Sequence, residues 1–420
     1  MPTPPTPSSA PWPRRESSVS PLQGRAAVTL FLGFAVAYFL SALLRAVTAT
    51  LAPAFSADLG LAAGELGLLA GAYFFGFAAM QLPLGSAIDR FGPRRVQFTL
   101  MLLAVAGCVL FAVARGLPAL LAARVLIGAG VAACLMAPLT AFRHRFSPAA
   151  QLRANSWMLM TGSLGMLAST LPVQWLLPTL GWRGLFWAVA VALAVSMAVM
   201  MRLVPQDAAP VPSATSSAAP AGYREILRHP LFLRLAPLAL FQYGGLIAVQ
   251  ALWAGPWLTQ VGGRTPTEAA AGLFTINAAM LLTFLAWGAV MPRLVARGVT
   301  ALQVLRWGMP LPLLLLAHNV WAGADAGPWA WAAWCVSCTC MSISQPALAQ
   351  VFPSAQAGRA LSAYNLVIFS GVFAVQWGIG LAVDALQAAG WAEPAAFRAA
   401  FAGFGVGCAA AYAWFLWRRA

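Results

Sequence analysis

The chain contains no lysine, and only 8% of its 420 residues are charged, ten of them acidic. A soluble globular chain carries roughly 25% charged residues, so an ordinary water-facing surface is excluded. Long stretches of period-two alternation are also missing, and 37 Gly and 30 Pro are spread through continuous apolar runs, which speaks against an outer-membrane barrel. Histidine is confined to His144, His229 and His318, scattered and unpartnered in the sequence. A membrane enzyme would need a nucleophile, base or metal constellation, so catalysis is not expected. All six cysteines fall inside apolar segments; Cys335, Cys338 and Cys340 cluster, but without His or carboxylate beside them they are expected to be packing residues. No metal or other cofactor is expected.

What is present is apolar: 61% of the residues are hydrophobic, and the mean hydropathy is +0.78. A bilayer-spanning helix needs about 20 such residues. Twelve runs qualify, at 26–52, 65–88, 96–115, 118–141, 152–177, 183–204, 230–260, 267–290, 300–321, 328–351, 360–385 and 394–417. The expected fold class is therefore an all-α membrane protein with twelve transmembrane helices in two six-helix pseudo-repeats. The expected division is a Pro- and Ser-rich disordered tail (1–24), an N-terminal bundle (25–204), a linker (205–229) and a C-terminal bundle (230–420). The first apolar run begins only after Arg25 and is long enough to span, unlike a cleavable signal peptide.

The 25 basic residues are all Arg and leave a net charge of +15. On a soluble chain that excess would suggest nucleic acid, but no basic face interleaved with aromatics occurs, and the expected large partner is the lipid bilayer. Placing the N-terminus inside puts 19 arginines in inner tails, loops and helix ends and four outside, with Arg45 and Arg124 within spans. By the positive-inside rule both termini are expected in the cytoplasm, as in a bacterial inner membrane. The halves are weak copies of one another: at a shift of 203, Pro53 meets Pro256, Glu65 meets Glu268, Gly85 meets Gly288 and Arg90 meets Arg293. At a shift of 210, Asn155 meets Asn365. Parallel six-helix repeats occur in secondary transporters that rock two bundles about a central site.

Between spans two and three the chain reads Gly85-Ser86-Ala87-Ile88-Asp89-Arg90-Phe91-Gly92-Pro93-Arg94-Arg95. This resembles the loop signature of the major facilitator superfamily, Gly-x-x-x-Asp-Arg-x-Gly-Arg-Arg, with Pro93 added. The resemblance implies gating by Gly85, Asp89, Arg90, Gly92, Arg94 and Arg95, with Gly85 letting helices approach and Asp89 pairing with a loop Arg or a neighbouring helix N-terminus. Pro292 stands at the corresponding place in the second half, so the second latch is degenerate. Span four carries Arg124-Val125-Leu126-Ile127-Gly128-Ala129-Gly130, which resembles the superfamily's Arg-x-x-x-Gly-x-Gly motif. An Arg that deep must face a cavity or a partner; an interhelical hydrogen-bonding post and a substrate contact are both open.

In span one, Arg45 precedes Pro53 and is followed by Asp58-Leu59-Gly60 and Glu65-Leu66-Gly67. This is similar to the anion:cation symporter and organophosphate antiporter branches, in which such an Arg binds the substrate's carboxylate or phosphate. The second binding Arg of the antiporters is missing from span seven, which offers Gln242, Tyr243, Gln250, Trp253 and Trp257 instead. No acidic residue lies near mid-membrane, so the proton-exchanging carboxylate of a cation exporter has no candidate. The reading is a secondary active transporter of a small, anionic organic solute, with or without a coupled ion, working as a monomer by alternating access. Its candidate substrate-binding residues are Arg45, Arg124, Tyr38, Gln242, Gln250, Trp253, Asn277, Gln345, Asn365 and Gln376. The alternative is an exporter of uncharged or amphiphilic drugs through an aromatic-lined cavity, suggested by the 17 Trp.

Overall fold

A computed structural model describes residue 22 and residues 24–206 and 223–418. The expected N-terminal tail, apart from Leu22 and Gly24, and the middle of the expected linker therefore lie outside the described residues. Twelve helical spans follow one another. They are α1 (Gly24–Leu59), α2 (Ala63–Phe91), α3 (Pro93–Val113), α4 (Leu117–Arg145), α5 (Pro148–Ala168, continuing to residue 180), α6 (182–203), α7 (Pro230–Val261), α8 (Pro266–Ala296), α9 (Ala301–Gly308 and Pro310–Ala322), α10 (328–351), α11 (Ser354–Ala388) and α12 (Glu393–Trp417). No strand occurs among the described residues.

Among the described residues, nine helical segments are long and apolar enough to cross a membrane by length and composition. The other spans are interrupted, and the causes are local. Helix α5 breaks at Ser169–Thr170, where the Thr50 hydroxyl of α1 donates to the Ser169 carbonyl at 2.8 Å and so satisfies a group freed by the break. The turn from α5 to α6 is made at Gly181 (φ 61°, ψ 169°), a backbone region that L side chains avoid. Helix α10 tightens to a 3₁₀ stretch over Thr339–Ile343. Helix α7 does the reverse, carrying three π-helical turns at Ala239–Tyr243, Val249–Trp253 and Trp257–Val261.

Residues 223–228, within the expected linker, form a helical turn whose Ile226 is fully buried in one cluster with Leu231, Phe232 and Leu235. The apolar side chain of Ile226 draws this end of the linker onto the second half.

The motif in α4 packs helices. A Cβ on Gly128 would lie 1.9 Å from the Tyr73 carbonyl oxygen, and one on Gly130 would lie 2.3 Å from the Ala104 amide, so α4 meets both α2 and α3 at backbone distance. Gly85 departs from its expected packing role: nothing lies within 4 Å of a Cβ built there.

The two ends of the molecule differ. The basic end carries the Gly85–Arg95 loop; the opposite end carries the α1–α2 and α11–α12 turns. At that opposite end the halves touch through backbone. Asp384 of α11 accepts from the Ala63 and Gly64 amides at 3.0 and 2.8 Å, and a Cβ on Gly67 would lie 2.4 Å from the Gln376 carbonyl. Further in, Phe74 and Phe77 of α2 meet Phe369 of α11 at 6.2 and 4.6 Å between ring centroids. At the basic end Gly85, Ser86, Asp89 and Arg90 are exposed.

Candidate functional site

The acidic residues that are described all sit at helix ends or in connections, and several are spoken for. Glu65 accepts from the Ala62 amide at 3.0 Å, and Glu268 accepts from the Thr265 amide at 2.8 Å, each closing the start of its helix. Asp58 pairs with Arg183 at 2.6 Å and accepts from the Trp182 indole at 3.0 Å, joining the end of α1 to the start of α6. The membrane interior of the described chain thus holds cationic groups without carboxylates.

Arg124 and Arg45 occupy that interior, and both reach Tyr73 of α2. Arg124 is 1% exposed. Its Nε donates to the Leu69 carbonyl at 3.4 Å, its Nη1 to the Leu44 carbonyl at 3.3 Å and its Nη2 to the Thr48 hydroxyl. The plane of the guanidinium lies over the Tyr73 ring, 5.3 Å from its centroid. All three nitrogens are engaged, and Arg124 ties α4 to α1 and α2 as an interhelical post.

Arg45 lies differently. Its guanidinium sits over the Phe77 ring at 5.5 Å and lies close to Tyr73, Tyr38 and Tyr243. Its Nε is buried without a hydrogen-bond partner. A buried N–H left unmatched costs about 1 to 3 kcal/mol, more when charged, so this is a place where an added acceptor would be welcome. The surrounding rings come from both halves: Tyr38 from α1, Tyr73 and Phe77 from α2, Tyr243 from a π-helical turn of α7, and Phe369 from α11. Tyr38 is held by α5, where a Cβ on Gly162 would lie 2.5 Å from its ring.

The other candidates are distributed more widely. Gln250 of α7 donates to Asn277 of α8 at 2.8 Å, and Asn277 in turn donates to the Leu273 carbonyl at 2.8 Å. Gln242 donates to the Cys338 sulfur at 3.3 Å. Trp253, fully buried, donates its indole N–H to the Gln376 carbonyl at 3.1 Å, and Gln376 donates to the Ala248 carbonyl at 3.4 Å. Gln345 and Asn365, half-buried, bond each other at 2.7 Å. These hydrogen bonds stitch spans of the second half together.

Among the gating candidates, Gly92 takes φ 84° at the turn between α2 and α3, a position suited to Gly. Arg94 is buried and donates to the Met201 carbonyl of α6 at 2.5 Å. Arg95 borders a recess with Pro83, Phe91 and Thr99.

Tyr73, Tyr243, Phe77 and Phe369 were not among the sequence candidates. Tyrosine belongs by preference at membrane interfaces, so mid-span tyrosines in a chain with six of them were the available signal. The six cysteines are buried and unpaired, and no group of three or more His, Cys, Asp or Glu able to hold a metal ion occurs among the described residues.

The family model described as Major Facilitator Superfamily matches residues 34–375. No curated protein matches the chain. Three solved structures are similar in fold. A bacterial homolog of the human lysosomal transporter Spinster, inward-facing and unoccupied, has 17% identity and a TM-score of 0.76, covering 94% of this chain and 98% of its own. A peptide transporter, POT, in complex with sulfate has 15% identity and a TM-score of 0.72, with 95% and 96% covered. A D-xylose-proton symporter has 16% identity and a TM-score of 0.68, with 92% and 95% covered.

Proposed function

Because the chain belongs to the major facilitator superfamily, and is thus a secondary transporter by family and fold, we propose that it carries a small organic anion across a bacterial inner membrane, with Arg45 holding the anionic group. The observation that carries this reading is the unpartnered Nε of Arg45, set among rings from both halves in an interior without carboxylates. A guanidinium in that setting is matched best by a carboxylate, which can take two parallel N–H bonds. Arg124, with every nitrogen engaged, holds the first half together beside the site.

Transport follows by alternating access. The halves meet at the end bearing Asp384, and on this reading the opposite, basic end is the side that opens toward Arg45. The positive-inside rule puts that basic end, with both termini and the 205–229 connection, in the cytoplasm. Residues 25–204 and 230–420 then rock against one another about Arg45. The chain is taken to work as a monomer, with or without a coupled ion.

The drug-exporter alternative drew on tryptophan, and seven of the tryptophans are placed on the surface or within the second half. Trp307, Trp321, Trp329 and Trp417 are on the outer surface, and Trp257, Trp331 and Trp334 are packed on one another inside the second half. Uptake into proteoliposomes tests the reading. Arg45→Ala should abolish transport of organic acids in a protein that still inserts and folds, and Arg45→Lys should weaken binding because the two-pronged geometry is lost. Wild-type transport by folded Arg45→Ala, or a preferred substrate that is cationic, would overturn it.

A further inference from the structure

Helices α2 and α3 are joined directly at Gly92, yet a gap remains between them above that joint. Further along, α4 fills the space: a Cβ on Gly128 would lie 3.1 Å from the Phe77 amide nitrogen, and one on Gly130 would lie 2.3 Å from that of Ala104. Towards the basic end, past Phe77 on α2 and Ala104 on α3, α4 no longer lines the gap, and a recess of about 420 Å³ is left. Its wall on α2 runs from Met80 through Pro83 and Ala87 to Phe91, and its wall on α3 from Arg95 through Val96 to Leu100. Pro83 has no N–H to give, so α2 lacks one rung of its own ladder at this level.

The recess is apolar along its length and basic at its mouth. Apart from Arg95 and Thr99, every side chain that lines it is apolar. From Met80 to Phe91 it extends about 16 Å at 1.5 Å per residue, close to the hydrocarbon depth of one leaflet, about 15 Å. Pro83, Phe91, Arg95 and Thr99 are all exposed, so it opens on the surface of the molecule. At 3.6 residues per turn, its α2 wall continues the side on which Tyr73 and Gly76 meet α4, and not the side on which Gly67, Gly71 and Phe74 meet α11. At the mouth the Arg90 guanidinium lies over the Phe91 ring, 5.0 Å from its centroid, and Arg95 borders the same end. Within Gly85–Arg95 the guanidiniums of Arg90, Arg94 and Arg95 stand against the single carboxylate of Asp89.

We propose that this recess holds one acyl chain of an anionic phospholipid from the leaflet at the basic end, with the lipid phosphate at Arg90 and Arg95. A long apolar slot at membrane depth is filled by hydrocarbon, and guanidiniums at its mouth select a headgroup with net negative charge over a zwitterionic one. The lipid would span the gap between α2 and α3 directly beneath the Gly85–Arg95 loop, and so tie that loop to the composition of the bilayer. The site is separate from Arg45 and does not depend on what Arg45 binds.

The test is photolabelling of the full-length protein in phosphatidylcholine bilayers. These are doped with phosphatidylglycerol or phosphatidylcholine carrying the same mid-chain diazirine, irradiated, and the labelled peptides mapped. Peptides covering Met80–Leu100 should take at least about fivefold more label from phosphatidylglycerol, the factor one guanidinium near the membrane surface contributes. In the chain carrying both Arg90→Gln and Arg95→Gln that preference should fall below about twofold. In Ala87→Phe, which fills the recess and keeps both guanidiniums, the preferential label should leave this segment. Equal yields from the two lipids, or a preference kept without the two arginines, would overturn the anionic lipid. Label spread over all exposed spans of the wild-type protein, or undiminished in Ala87→Phe, would overturn the recess as its seat. The wild-type map requires no variant to fold, and no substrate is present.

Discussion

Arg45 and Arg124 sit in the same half, within reach of the same tyrosine, and the structure treats them in opposite ways. Arg124 has its three nitrogens on Leu69, Leu44 and Thr48; Arg45 has a buried Nε with no partner. A satisfied buried cation is part of the scaffold, and one with an unmatched N–H is a candidate site. The comparison is broken most directly by removing each in turn. Arg124→Ala opens a cavity and strands the Thr48 hydroxyl, and should destabilise the protein by about 2 to 5 kcal/mol, read as a lowered thermal midpoint in detergent. Arg45→Ala should change stability by under about 1 kcal/mol while transport is lost, since it removes a group that was already short of partners. Equal thermal losses in the two variants would erase the distinction.

The same contrast recurs at the two ends of α2. Where the halves meet, Asp384 of α11 caps the start of α2, accepting from two backbone amides across the interface. This is a carboxylate at a helix N-terminus, favoured by the orphan N–H groups and by the helix dipole. It is also closely fitted: a Cβ on Gly64 would lie 2.5 Å from the Asp384 oxygen. At the basic end, Asp89 is exposed, and no ion pair reaches it among the described residues. One end has its carboxylate engaged, and the other has a carboxylate waiting.

Asp384→Asn should therefore open the engaged end. Exchanging the charged acceptor for a neutral amide weakens two charge-assisted bonds, and about 1.4 kcal/mol is enough for a tenfold shift between two nearly balanced conformations. Distances between spin labels placed at positions 61 and 386 should gain a longer population; an unchanged distribution would reduce the contact to a cap without a gating role. Asp89→Asn should have the smallest effect on this conformation, under about 0.5 kcal/mol by thermal unfolding, because nothing is bound to the carboxylate to be lost. It should still slow transport, which would show that Asp89 acts only when the basic end closes. An Asp89→Asn protein that transports at the normal rate would make the Gly85–Arg95 loop a structural turn.

Much of this was legible from residue order. The twelve apolar runs match the observed spans to within a few residues at most ends, and the Arg-x-x-x-Gly-x-Gly string marked where α4 comes to backbone contact with α2 and α3. Other features were not. Gly85 looked like a packing glycine, and nothing lies within 4 Å of a Cβ built there. The pairing of Gln250 with Asn277 and of Gln345 with Asn365 was not legible either, because in an apolar interior a polar side chain takes whichever partner a neighbouring span presents.

The sequence by itself determined the number of spans, the two-half division and the side bearing the basic loops, because a hydrocarbon slab about 30 Å thick imposes a fixed apolar length and charged residues are confined to the ends. It also determined that the interior would hold arginine without a carboxylate. Only the tertiary structure decided which arginine is spent and which is free. The acceptors that engage Arg124 include the backbone carbonyls of Leu44 and Leu69, on two other helices, and every residue carries such a carbonyl whatever its side chain. The rings around Arg45 likewise come from α1, α2, α7 and α11, so their meeting is a property of how the helices pack and is not written at any one place in the chain.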